Sequence, residues 1–107
     1  MVVQFYIKKN DTYPPLRATL QQADGTPVNL EGARVQFLMR DDDYRDKIYA
    51  QGEAMIVDAE KGIVEYRWGE GDTAIPGYYL AEFVVTFATG QQLTIPNQGF
   101  ITIQVQK

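Results

Sequence analysis

The chain has 107 residues, 45% of them apolar, with no cysteine, no histidine and a formal net charge of −4. A chain of this length forms one domain, residues 1–107, and buries about two-thirds of its unfolded surface, enough for a core without covalent or metal staples. The missing residue types exclude disulfides, thiolate metal sites and Ser-His-Asp or Cys-His nucleophiles, and the acidic balance argues against a nucleic-acid partner.

Residues 1–10 lack the basic start, apolar run and small-residue cleavage site of a secretory signal. No apolar run approaches the ~20 residues of a membrane span. A soluble protein made in the cytoplasm and not secreted is the expectation. Val3, Phe5 and Ile7 alternate with polar neighbours as a first strand, which Pro14 and Pro15 end by removing backbone donors. Leu16, Ala18 and Leu20 form a second strand running into Asp24-Gly25, and Val35, Phe37 and Met39 a third. Residues 41–50 read as a polar loop with at most a short edge strand, and 30–33 as the one place for a helical turn, broken at once by Gly32. Residues 55–58 and 63–68 form a hairpin across Glu60-Lys-Gly62, where glycine supplies the left-handed position. Residues 78–87 and 91–95 form another, closed at Thr89-Gly90, and 100–105 make the last strand. About seven strands with turn signals every ~8–12 residues predict an all-β fold, an immunoglobulin-like antiparallel β-sandwich.

The strongest local signal is Asp72 followed by Pro76-Gly-Tyr-Tyr79 and a long apolar strand. It resembles the corner opening the sixth strand of such sandwiches, where a tyrosine hydroxyl bonds back to the backbone a few residues upstream. Tyr79 shares a face with Ala81, Phe83, Val85 and Phe87 and is the expected corner tyrosine, with Asp72 and Gly77 shaping the loop around it. Trp68, on the face of Val64 and Tyr66, is the expected core aromatic.

Nothing in the residue inventory points to catalysis or a cofactor. A carboxylate pair of the glycosidase kind is a distant option, and Gly69-Glu-Gly71 carries almost no weight as a nucleotide motif. The acidic run at Asp41, Asp42, Asp43 and Asp46 shares one end of the predicted sandwich with Asp11, Glu70 and Asp72. That makes it a weak Ca²⁺ candidate, without EF-hand spacing and with Arg45 and Lys47 inside or beside it. If the Tyr79 face is inward, Tyr78, Leu80 and Val84 face outward, and Leu38 and Phe100 add to them from neighbouring strands. Such a patch is a candidate protein interface, weighed evenly against ordinary surface apolar residues.

Several stretches taken together resemble a known family. They are Phe5-Tyr-Ile-Lys-Lys-Asn-Asp-Thr-Tyr-Pro-Pro-Leu-Arg-Ala-Thr-Leu20, Asp24-Gly-Thr-Pro-Val-Asn-Leu-Glu-Gly-Ala33, Val35-Gln-Phe-Leu-Met-Arg40, Gly62-Ile-Val-Glu-Tyr-Arg-Trp68 with Gly71-Asp-Thr73, Pro76-Gly-Tyr-Tyr-Leu-Ala-Glu-Phe83 and Thr94-Ile-Pro-Asn97. Their order resembles the immunoglobulin-like N-terminal domain of phage baseplate upper proteins. The resemblance implies a virion structural module of a tailed phage or prophage that docks on a tail or baseplate protein, with homo-oligomerisation as a further option. It supplies no catalytic residues. The chain departs from the pattern by ending at Lys107 directly after the last strand, so the docking role carries over and the receptor-presenting role does not. It reads as a module standing alone or as the N-terminal part of a longer protein. The alternative is a carbohydrate- or ligand-binding sandwich of a virion or cell-surface protein, for instance a host receptor glycan binder, with Tyr13, Tyr44 and Tyr49 as the stacking residues.

Overall fold

The computed structural model describes residues 4–43, 47–96 and 100–107. Among them every regular element is a strand: β1 (Gln4–Lys8), β2 (Leu16–Thr19), β3 (Arg34–Asp41), β4 (Ile48–Asp58), β5 (Ile63–Tyr66), β6 (Gly77–Thr86), β7 (Gln92–Ile95) and β8 (Ile101–Gln106). The ladder runs β1-β8-β6-β3-β4-β5-β2, with β7 beside β6, and wraps towards a barrel. The result is a sandwich-like all-β fold of two faces joined through one strand.

That strand is β4. Its first part pairs with β3, Ala54 opposite Val35, and its second part pairs with β5, Met55 opposite Glu65. Sequence reading breaks this segment into a loop and a hairpin arm; instead it is continuous for 11 residues. Gly52 accounts for part of the difference. It stands opposite Phe37, and a Cβ there would sit 3.1 Å from the Tyr66 ring. The residue that looks like a strand breaker is the one that makes room for the core.

Two further differences concern pairing. β1 runs parallel to β8, so the sandwich is not wholly antiparallel. β7 and β8 both pair with β6, β7 along Phe83 to Thr86 and β8 along Gly77 to Ala81, as successive parts of one interrupted strand. The expected helical turn at 30–33 is a hydrogen-bonded turn, Ala33 N–H donating to the Leu30 carbonyl at 3.0 Å. Val28 and Leu30 lie outside the strands yet are buried in the core.

The core forms where the inward residues of both sheets meet. Tyr66 stacks on Phe37 with ring centroids 4.1 Å apart, and Trp68 stands edge-on to both, 5.4 Å from Tyr66 and 5.8 Å from Phe37. Phe83 closes on Phe37 at 5.5 Å and Phe5 on Trp68 at 5.7 Å. Offset and edge-on arrangements of this kind add about 0.5–1.5 kcal/mol per pair beyond the area they bury.

Candidate functional site

Tyr79 is buried at the start of β6, and its hydroxyl donates to the Ile75 carbonyl at 2.6 Å, four residues upstream. The Tyr49 ring lies 4.8 Å from it. Burial first, and then Tyr49, pushes the Tyr79 phenol up from its ordinary range. Gly77 lies beneath the same ring, 3.7 Å from Cβ position to hydroxyl. Asp72 works elsewhere: its Oδ2 accepts from the Tyr66 hydroxyl at 2.5 Å and from Gly69 N–H at 2.8 Å. Trp68 is buried, and its indole N–H donates to the Pro14 carbonyl at 3.1 Å. These groups hold the two sheets and their loops together.

On the larger sheet, Tyr78, Leu80, Glu82 and Val84 point outward from β6, Leu38 and Arg40 from β3, and Thr102 and Gln104 from β8. Leu80 faces outward as its alternation requires, yet it is only 9% exposed. Its register partners are Arg40 and Thr102, and the Arg40 guanidinium reaches Glu82 at 3.5 Å beside it. The expected open apolar strip is therefore interrupted by an ion pair. Leu38, Val84 and Phe100 are half-buried, and Tyr78 alone of the five is well exposed, at 59%.

The smaller sheet presents a different outer face, which sequence reading passed over. Met55 and Val57 on β4 are 46% and 42% exposed, and Ile63 on β5 lies half-buried between strands. Beside them Glu65 is buried, with Arg67 at 3.1 Å and Arg17 at 3.4 Å from its carboxylate oxygens. Both arginines are largely exposed. Arg17 and Glu65 are direct cross-strand partners, and Glu65 stands opposite Met55. The signal was available in the alternation of Ala54 and Ile56 with Met55 and Val57; what hid it was reading β4 as two separate pieces.

At the acidic end, Asp11 and Asp72 do come near one another through their loops. Thr73 Oγ1 donates to the Asp11 carbonyl at 2.8 Å and Asn10 N–H to the Thr73 carbonyl at 3.0 Å. Asp41 Oδ1 instead accepts the Asp43 N–H at 2.8 Å, a local turn. Among the described residues no three carboxylates gather as a metal site; Asp46 lies outside them. Of the tyrosines considered for sugar stacking, Tyr49 is turned against Tyr79, Tyr13 is 80% exposed, and Tyr44 lies outside the described residues.

The fold and these two faces define a β-sandwich-like module whose distinctive features are surfaces. The model of the BppU N-terminal domain matches residues 3–104, and the chain belongs to that family. Among solved structures it is similar to the N-terminal domain of phage TP901-1 ORF48, with a TM-score of 0.63 and 16% identity over 99% of this chain and 95% of that one. It is also similar to CopC from Methylosinus trichosporium OB3b, with a TM-score of 0.52 and 12% identity over 97% of this chain and 84% of that one. At those identities the likeness shows the fold alone. No curated protein sequence matches the chain. The family makes it a phage structural module of the baseplate-related class.

Proposed function

We propose that this chain is a non-enzymatic assembly module of a phage tail or baseplate that docks to a tail or baseplate protein through the outer face of its smaller sheet. The observation that carries this reading is the cluster of Met55, Val57 and Ile63 beside Glu65 and its two arginines. Methionine and arginine are enriched where proteins meet, and charged residues at the centre of an interface are rare unless paired. Glu65 keeps both guanidinium groups ordered before binding, which lowers the entropy cost of ordering them in a complex. Arg17 and Arg67 offset Glu65 and Asp58, the cross-strand partner of Ile63, so this patch is neutral on a chain of −4, with both guanidinium groups exposed at its rim. It suits an apolar partner surface rimmed with carboxylates better than a second copy of this acidic chain.

The test is capture of the neighbouring tail proteins by the purified domain, followed by gel filtration with light scattering. Met55→Glu should weaken capture at least tenfold, and Val84→Glu should leave it unchanged. The reverse pattern would move the dock to the larger sheet, where Tyr78, Val84 and Leu38 lie. A monomer that ignores every tail protein would overturn the docking reading.

A further inference from the structure

A second surface, at the opposite face and towards the end of the sandwich, has a different chemistry. Tyr6 on β1 and Tyr78 on β6 are 55% and 59% exposed, and both are register partners of Gln104 on β8. The three residues form one row across three strands, which sets the tyrosines about 10 Å apart. The Tyr6 hydroxyl donates to Gln4 Oε1 at 2.8 Å, two positions back on the same face, which lays the ring along its strand and fixes its orientation. Tyr78 borders one shallow depression of about 320 Å³ with Gln104 and Gln106. Tyr6 and Tyr13 border another of about 180 Å³ with Asp11 and Gln106. Gln106 is shared, so the two depressions adjoin.

From this arrangement we infer that the row is a binding site for a short neutral oligosaccharide. A sugar ring offers one face of C–H bonds and a rim of hydroxyls that both donate and accept. Tyrosine rings supply apolar platforms with a polar edge and little rotamer entropy to lose. Glutamine amides each offer two donors and an acceptor, and the Asp11 carboxylate offers acceptors, which together match the hydroxyl rim. Two adjoining depressions, each with a tyrosine wall and a glutamine amide, hold two neighbouring sugar units. The sites are open and shallow, so affinity comes from stacking and water-bridged contacts and lies in the micromolar to millimolar range typical of weak, small interfaces. The surface is separate from the Met55 patch, so a docked module keeps it free.

The experiment is a microarray of neutral oligosaccharides of glucose, galactose, N-acetylglucosamine and rhamnose, followed by titration of the best binder into ¹⁵N-labelled protein. Binding should shift the side-chain amide signals of Gln104 and Gln106. Tyr6→Ala and Tyr78→Ala should each weaken it at least tenfold, while Met55→Glu leaves it unchanged. Absence of any binder on the array, or amide shifts confined to other parts of the domain, would overturn the proposal. So would full affinity in a folded Tyr6→Ala, Tyr78→Ala double variant. Because the amide shifts are read on the unaltered protein, loss of fold in a variant does not blunt the test.

Discussion

The Tyr66 hydroxyl donates to Asp72 Oδ2 at 2.5 Å, tying the stacked core to the loop that follows β5. The tyrosine belongs to the aromatic cluster and the aspartate also accepts from Gly69 N–H, so one carboxylate fixes both a core ring and a turn. Removing the hydroxyl leaves the ring packing intact and takes away a hydrogen bond to a charged group, worth about 1.5–3 kcal/mol. Tyr66→Phe should therefore lower Tm by roughly 6–24 °C, from a shift of about 4–8 °C per kcal/mol, as read by calorimetry.

The same bond makes stability depend on alkaline pH. Burial first, and then Asp72, raises the Tyr66 phenol above its ordinary value of 10.0, and burial with Tyr49 does the same for Tyr79. The folded chain then keeps protons that the unfolded chain gives up, so stability is intact below pH 10 and falls as pH rises beyond it. Denaturant melts at successive pH values above 9.5 should show this decline. Tyr66→Phe and Tyr79→Phe should each reduce its slope, and an unchanged slope in both would show that neither phenol is responsible.

Gly62 is the turn glycine whose replacement matters most. Its φ is +69°, and a Cβ there would lie 2.6 Å from the Leu20 carbonyl oxygen and 2.9 Å from that of Val28. Both contacts are with backbone that is itself hydrogen-bonded, Leu20 N–H to the Gly62 carbonyl at 2.7 Å and Val28 N–H to the Leu20 carbonyl at 2.9 Å. The left-handed conformation alone costs an L-residue about 1–2 kcal/mol, and the collision adds to that. Gly62→Ala should lose more than ~2 kcal/mol in urea melts. Gly90→Ala is the control: its φ is +91° but nothing lies within 4 Å of the added carbon. It should lose no more than the conformational cost, about 1–2 kcal/mol.

Much of this architecture is visible in residue order, and the failures have physical causes. Tyr79, Trp68 and the Gly62 turn are legible because each depends on local chemistry: a hydroxyl reaching four residues back, an inward aromatic, a positive φ. The state of Leu80 is not legible, because it depends on which residue of another strand lies opposite. Only the β3–β6 register sets Arg40 there and lets it reach Glu82. The Met55 face was hidden for a related reason. A strand that changes partners midway has no single alternation partner to be read against, and polar Gln51 and Glu53 beside Gly52 imitate a loop.

Leu80→Glu separates these two kinds of outward residue. Leu80 is nearly enclosed, and a new carboxylate there would be desolvated beside Glu82 and compete with it for Arg40. It should lose about 1–3 kcal/mol in urea melts. Val84→Glu, at a half-exposed position on the same strand, should change stability by less than ~1 kcal/mol. Equal effects would show that the Arg40–Glu82 pair does not enclose Leu80.

β4 hands its first half to one sheet and its second half to the other. Glu53, paired to Gln36 of β3, and Met55, paired to Glu65 of β5, thus lie two residues apart on either side of the handover. A load applied between those sides runs along a covalent backbone flanked by ladder bonds as well as across the greasy seam between sheets. To pry the halves apart, β4 must first be peeled from β3 or from β5. The tie between the two halves is thus the chain itself, running inside the fold.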